Sequence, residues 1–204
     1  MLLKINSDNP NIRKVQIVIE ALKKGSVIAF PTDTVYAFGC DVRNKEAIGK
    51  MIRLKGIKEK EVHFSLICTD LSEISDYTAQ LDRATFKMLK RNLPGPYTFI
   101  LKANRDVIKM FDFNKKTIGV RIPQNNIARD IVKALGNPLI STSIHHDDEI
   151  LDYITDPDEI FELYKHDLDI VVDGGIGDNL PSTVIDYSGD TPEVMREGKG
   201  ILEL

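Results

Sequence analysis

Surplus positive charge, abundant cysteine and long apolar runs are what this chain lacks. Its 27 lysines and arginines are outnumbered by 31 aspartates and glutamates, for a net charge of −4. That argues against bulk, non-specific nucleic-acid affinity, which needs a Lys/Arg surplus on one face, but leaves room for a local basic patch. The field is lopsided, because acidic residues bunch late, at His146-Asp147-Asp148-Glu149, Asp156 to Glu159 and Asp167 to Asp169. Two cysteines, Cys40 and Cys68, each beside an apolar run, are too few for a disulfide framework and read as reduced, buried thiols. No apolar run reaches the roughly 18 residues of a membrane helix, and the N-terminal MLLKINSDNP is too polar for a signal peptide. These absences predict a cytoplasmic protein with no membrane partner. Also missing are a GxxxxGK(S/T) phosphate loop, a GxSxG elbow and a paired Cys/His nucleophile, so nothing demands covalent catalysis.

What is present centres on Val27 to Asp41, VIAFPTDTVYAFGCD. Val27 to Phe30 reads as a buried strand that Pro31 ends, followed by a loop dense in oxygens from Thr32 to Tyr36 that closes through Gly39. A buried strand ending in hydroxyls is how α/β proteins present binding sites, and equally how a Thr/Asp turn satisfies its own backbone. Asn9-Pro10 predicts the start of a helix running through Leu22 to Gly25, and Asn44 a second one through Ile52. Further helices are predicted over about Gln80 to Asn92, from Asn125 or Asn126 to Gly136, and from Asp156-Pro157 to about Tyr164. Leu71 to Ser75 reads as a helical turn. Strands are predicted at Phe64 to Cys68, Tyr97 to Leu101, Thr117 to Ile122, Leu139 to Ser143, Ile170 to Val172, Thr183 to Asp186 and Glu193 to Arg196. This interleaving predicts an α/β (α+β) class: a single domain, residues 1–204, around one twisted mixed sheet with flanking helices.

Three of these strands carry side-chain oxygens at an end: Thr32/Asp33/Thr34, Ser141/Thr142/Ser143 and Ser182/Thr183. Two arginines, Arg121 in IGVRIP and Arg196 in EVMREG, lie within apolar strand patterns. A buried guanidinium needs an anionic partner, either an aspartate of the chain such as Asp33 or Asp186, or a carboxylate or phosphate ligand gripped by two parallel hydrogen bonds. Two arginines beside three hydroxyl-rich strand ends favour the ligand. The row from His145 to Glu149 has metal-ligand chemistry, but adjacent residues converge poorly on one ion, which leaves any metal there unassigned. His63 and His166 stand alone.

In order along the chain, PTDTVYAFGCD, Lys55 after an amphipathic helix, LPGPYTFIL, TIGVRIP, the STS strand end, PSTVID and VMREG resemble the YrdC family. HFSLIC, NLPGPYTFILK and PSTVIDYSGDTPEVMREG are similar to its YciO branch. The resemblance runs from about Ile12 to Gly200 and implies a concave, electropositive groove. The implied activity is that of an L-threonylcarbamoyl-AMP synthase, a nucleotidyltransferase acting on threonine, bicarbonate and ATP with magnesium, for tRNA modification. The alternative implied is a double-stranded RNA or tRNA binder with little or no catalysis. Carried over by position, Thr34 contacts threonine, Tyr36 lines the same pocket and Arg121 holds the amino-acid carboxylate. Lys55 faces the ATP phosphates, Ser141 and Ser143 flank the reacting carbamate and adenylate, Ser182 contacts threonine and Arg196 meets the nucleotide. The chain departs from the family's Lys-x-Arg-Pro at Lys55-Gly56-Ile57-Lys58, with Lys58 or Lys60 the nearest substitutes for the lost guanidinium. It also has Ser143-Ile144-His145 for Ser-Ala-Asn, and Ala37-Phe38 for Gly-Leu.

Overall fold

The computed structural model describes residues 1–56, 63–111, 116–144, 153–189 and 191–202. Helix boundaries follow side-chain caps. Helix α1 (Ile12–Lys23) begins at Asn11, not Asn9, because the Asn11 Oδ1 accepts from the Arg13 N–H at 2.9 Å. Asn44 caps α2 (Lys45–Leu54) through the Ala47 N–H at 3.0 Å. Asp70 caps α3 (Leu71–Tyr77), longer than the expected turn. Asp82 receives the Thr85 N–H at 2.7 Å and starts α4 (Arg83–Asn92) three residues later than expected. The short α5 (Arg105–Phe111) was not expected from the sequence. Asn125 caps α6 (Asn126–Leu135), which Gly136 closes in the left-handed conformation, and Asp156-Pro157 opens α7 (Pro157–Tyr164). A cap of this kind contributes about 1 kcal/mol.

Among the described residues ten strands make one mixed sheet: β1 (Leu2–Lys4), β2 (Ile28–Phe30), β3 (Ala37–Asp41), β4 (Ser65–Ile67), β5 (Tyr97–Lys102), β6 (Thr117–Arg121), β7 (Leu139–Ser143), β8 (Ile170–Asp173), β9 (Thr183–Asp186) and β10 (Glu193–Arg196). Their order is β1-β8-β2-β3-β7-β4-β6-β5-β9-β10. The sequence reading ran the oxygen-rich loop through Gly39, whereas Ala37–Asp41 is a strand that returns antiparallel to β2, with Ile28 opposite Gly39. A Cβ on Gly39 would stand 2.6 Å from the Phe30 ring, so this glycine serves close packing rather than a turn.

The two sheet faces are covered unequally, and that inequality makes the site. On one face α2, α3, α4 and α7 bury Met51, Ile74, Leu89 and Ile160 against Phe38, Leu66, Phe99, Val120 and Val171. On the other, α1 and α6 bury Val18, Ile19, Leu22, Ile127 and Ile131 against Ile28, Phe30, Leu139 and Ile170. Each such aliphatic side chain contributes about 1.5–3 kcal/mol on burial. Those two helices lie over the β8-β2-β3-β7 half. Beyond them, positions alternating along the strands turn small or polar: Ser141 and Ser143 of β7, Ser65 of β4, Gly119 and Arg121 of β6, Thr98 of β5, then Ser182 before β9. In the register Ser141 faces Ser65 and Ser65 faces Gly119, so this row crosses adjacent strands. Among the described residues no helix is long and apolar enough to cross a membrane.

Candidate functional site

The half-face that no described helix covers holds a cavity of about 580 Å³. It brings together seven of the residues singled out by sequence: Lys55, His63, Arg121, Ser141, Ser143, Ser182 and Arg196. Thr34 is not on its wall: with Thr32 and Asp33 it lines a neighbouring cavity of about 640 Å³, and it is linked to this one through its hydrogen bond from Arg121. Lys58 and His145 lie outside the described residues, as do Ile57, Lys60 and the run His146 to Glu149. The residues missed by sequence reasoning include Thr98 and Ser65, which line the cavity and are signalled only by their alternation with buried apolar neighbours.

Arg121 is buried and its Nη2 donates to Asp33 Oδ1 at 2.9 Å and to Thr34 Oγ1 at 3.0 Å. Of the two aspartates named as intramolecular partners, Asp33 is the one used; its Oδ2 accepts from the Gln124 N–H at 3.0 Å. The guanidinium is nevertheless only partly satisfied: among the described residues, Arg121 Nε is buried with no partner. Burial lowers the Arg121 pKa from its ordinary value, Asp33 opposes that, and the charge of Arg196 adds to the lowering. Three cations, Lys55, Arg121 and Arg196, therefore line one cavity, with Asp33 paired to Arg121 and Asp186 also on the wall.

Hydroxyl protons fix the polarity of the loop. Thr32 Oγ1 gives its single proton to the Val35 carbonyl at 2.7 Å and accepts the Thr34 N–H at 3.1 Å. The 3.1 Å contact between the Thr32 and Thr34 hydroxyls must then be donated by Thr34. With its proton committed and one lone pair on Arg121, Thr34 can only accept from a ligand. On the opposite wall Arg196 donates from Nε and Nη2 to the Ser182 carbonyl at 3.2 and 2.9 Å, while Ser182 Oγ and Thr98 Oγ1 lie 2.7 Å apart. Arg196 rides on β10, the sheet's terminal strand, where Val194 and Met195 are exposed; the apolar pattern that suggested burial is uncovered because, among the described residues, no layer packs there. Lys55, at the C-terminal end of α2, is buried and donates to the Ser143 carbonyl at 3.1 Å, and Ser141 Oγ donates to the Ser65 carbonyl at 3.1 Å.

Tyr36 does not line this cavity. Val35 and Ala37 do, and the side chain between them points to the other face of the chain. Its ring is fully buried, its hydroxyl donates to the Gly175 carbonyl at 2.7 Å and accepts the Gly174 N–H at 3.1 Å. Burial pushes the phenol well above its ordinary pKa, against the lowering effect of that N–H. Tyr36→Phe is accordingly expected to destabilise the protein by about 1–3 kcal/mol, the cost of two stranded backbone groups, while ligand affinity changes less than about threefold. Denaturant melts beside ligand titrations check this; a large affinity loss without a stability loss would return Tyr36 to the pocket.

The family model Sua5_yciO_yrdC, described as "Telomere recombination", matches residues 20–198. The chain belongs to the Sua5/YciO/YrdC family. The YciO protein of Escherichia coli K12 is 40% identical over 198 residues, covering 96% of this chain and 94% of its own. The crystal structure of E. coli YciO matches with a TM-score of 0.91 at 38% identity, over 100% of this chain and 98% of that one. A threonylcarbamoyl-AMP synthase from Halorhodospira halophila is 30% identical over 130 residues, 64% of this chain and 68% of its own. P. abyssi Sua5 complexed with L-threonine matches with a TM-score of 0.88 at 22% identity, over 97% of this chain and 57% of that one, a likeness of fold. The single mixed sheet with flanking helices expected from the sequence is thus the fold that this family member shares with YciO and Sua5.

Proposed function

We propose that the cavity binds threonine and ATP and forms threonylcarbamoyl-AMP and pyrophosphate from them with bicarbonate. The observation that carries this reading is Arg121: a buried guanidinium with one donor unpartnered, beside a second arginine, in a cavity walled by hydroxyls. A carboxylate placed against Arg121 offsets the repulsion between Arg121 and Arg196. Thr34, an acceptor only, suits an amine or hydroxyl hydrogen of the same amino acid.

The chemistry needs positioning and charge neutralisation. The threonine nitrogen bonds to the bicarbonate carbon with loss of water, giving a carbamate. A carbamate oxygen then attacks the α-phosphorus, the bond to the bridging oxygen breaks, and pyrophosphate leaves with that electron pair. Arg196 and Lys55 neutralise the phosphates, and Ser143 and Ser141 flank the reacting groups. Magnesium fits as a companion of the nucleotide: among the described residues no cluster of three or more His, Cys, Asp or Glu exists, and Asp186 is the carboxylate on the cavity wall. That donor set suits an ion held mostly by phosphate oxygens and water.

The test is pyrophosphate release from ATP. Release that requires both threonine and bicarbonate, and that falls on the order of a hundredfold or more in Arg196→Ala, supports the proposal. No release, together with steeply salt-dependent binding to duplex RNA, overturns it in favour of a binding module using the same groove.

A further inference from the structure

Lys199 lines the neighbouring cavity with Thr32, Asp33, Thr34 and Asp178, and its contacts are out of keeping with a surface lysine. The five carbonyls from Thr32 to Tyr36 are all engaged. Thr32 takes Asn125 Nδ2 at 3.2 Å, Thr34 the Asp178 N–H at 3.1 Å, Val35 the Thr32 hydroxyl at 2.7 Å and Tyr36 the Ile144 N–H at 3.0 Å. The fifth, Asp33, is held by Lys199 Nζ at 2.8 Å, and that ammonium is itself held by Asp178 Oδ2 at 2.7 Å.

The peptide unit gripped in this way decides the geometry of Arg121. The Asp33 carbonyl and the Thr34 N–H belong to one planar group, anchored by Lys199 at one end and Thr32 Oγ1 at the other. From its two Cα atoms depart the Asp33 carboxylate and the Thr34 hydroxyl, the two groups that orient Arg121. Lys199 is anchored in turn: its own N–H donates to the Pro181 carbonyl at 2.8 Å, and the Gly198 N–H donates to Thr183 Oγ1 at 3.0 Å. The same short segment carries Arg196 on Ser182. The lysine therefore bridges the wall that bears Arg196 to the loop that aims Arg121.

We propose that Lys199, with Asp178, is a positioning residue that sets the orientation of Arg121 and so controls affinity for the ligand carboxylate. An exposed ion pair alone would contribute almost nothing. This one adds a charged hydrogen bond to a carbonyl with no other partner among the described residues. The inference rests on the reading of Arg121 as the carboxylate seat, and its test keeps the two apart.

Lys199→Met retains the stem and removes the ammonium; Lys199→Arg keeps the charge. In titrations with L-threonine, Lys199→Met is expected to weaken binding about fivefold to tenfold, and Lys199→Arg to restore most of it. Where turnover is measured, KM for threonine rises at least about threefold more than KM for ATP, a split that general loosening of the fold would not produce. In ligand-free protein, amide exchange over residues 32–36 and at Asp178 accelerates in Lys199→Met. Unchanged exchange overturns the positioning role whether or not threonine binds. If wild-type protein binds no threonine but exchange does accelerate, the functional reading falls and the bridge stands. Unchanged threonine affinity in a Lys199→Met variant of a binding-competent protein overturns the proposal.

Discussion

Arg121→Met is expected to weaken binding of an amino-acid carboxylate by a hundredfold to a thousandfold, on the order of 3–4 kcal/mol, and to remove the rise in melting temperature that the ligand brings. The effect on the ligand-free protein is smaller, because opposing contributions act there. Asp33 loses its guanidinium but keeps the Gln124 N–H. The protein in turn sheds a buried charge that has an unpartnered Nε and faces Arg196. Removing one member of a buried pair costs about 3–5 kcal/mol, and shedding the unpartnered Nε and the repulsion from Arg196 offsets part of that, so stability should fall by about 1–3 kcal/mol. Calorimetric titration and thermal melts of the two proteins decide it. A drop in stability of about 3–5 kcal/mol with ligand affinity unchanged would make Arg121 a structural ion pair and nothing more.

The second large effect is at Gly198. A Cβ there would stand 2.3 Å from the Pro181 carbonyl oxygen and 2.6 Å from the carbonyl carbon and oxygen of Ser182. These are backbone atoms that cannot swing aside, and the same two carbonyls accept from Lys199 and Arg196. Gly198→Ala must lift the segment from its seat. The expected outcome is a stability loss of about 1–3 kcal/mol, as for overpacking, with a loss of nucleotide affinity above about tenfold because Arg196 moves with the segment. Gly189→Ala is the control, since the nearest atom, the Thr191 carbonyl oxygen, is at an ordinary 3.8 Å. A wild-type denaturation midpoint for Gly198→Ala would refute the account.

What the sequence made legible divides by the range of the interactions involved. Asn125 and Gly136 bound α6, and Asp156-Pro157 opens α7, because a cap is decided within four residues. The strands Thr183–Asp186 and Glu193–Arg196 were readable to the residue. Ala37–Asp41 was not, because Gly39 looks like a turn until Phe30 is known to lie against it. Arg121 stood out as a cation in an apolar strand, but choosing Asp33 over Asp186 as its partner took a contact 88 residues apart in sequence. Tyr36 was misplaced for a simpler reason. A motif groups residues by proximity along the chain, whereas an extended backbone sends neighbours to opposite sides.

The placement of Arg196 has a consequence for how occupancy is transmitted. It sits on a strand paired on one side alone, with a register shift between Val194 and Arg196. An anion drawn onto that arginine also tethers the margin of the sheet to its interior. On the proposed function, filling the cavity would thus consolidate the last strand, so that the free energy of association would include completion of the architecture itself.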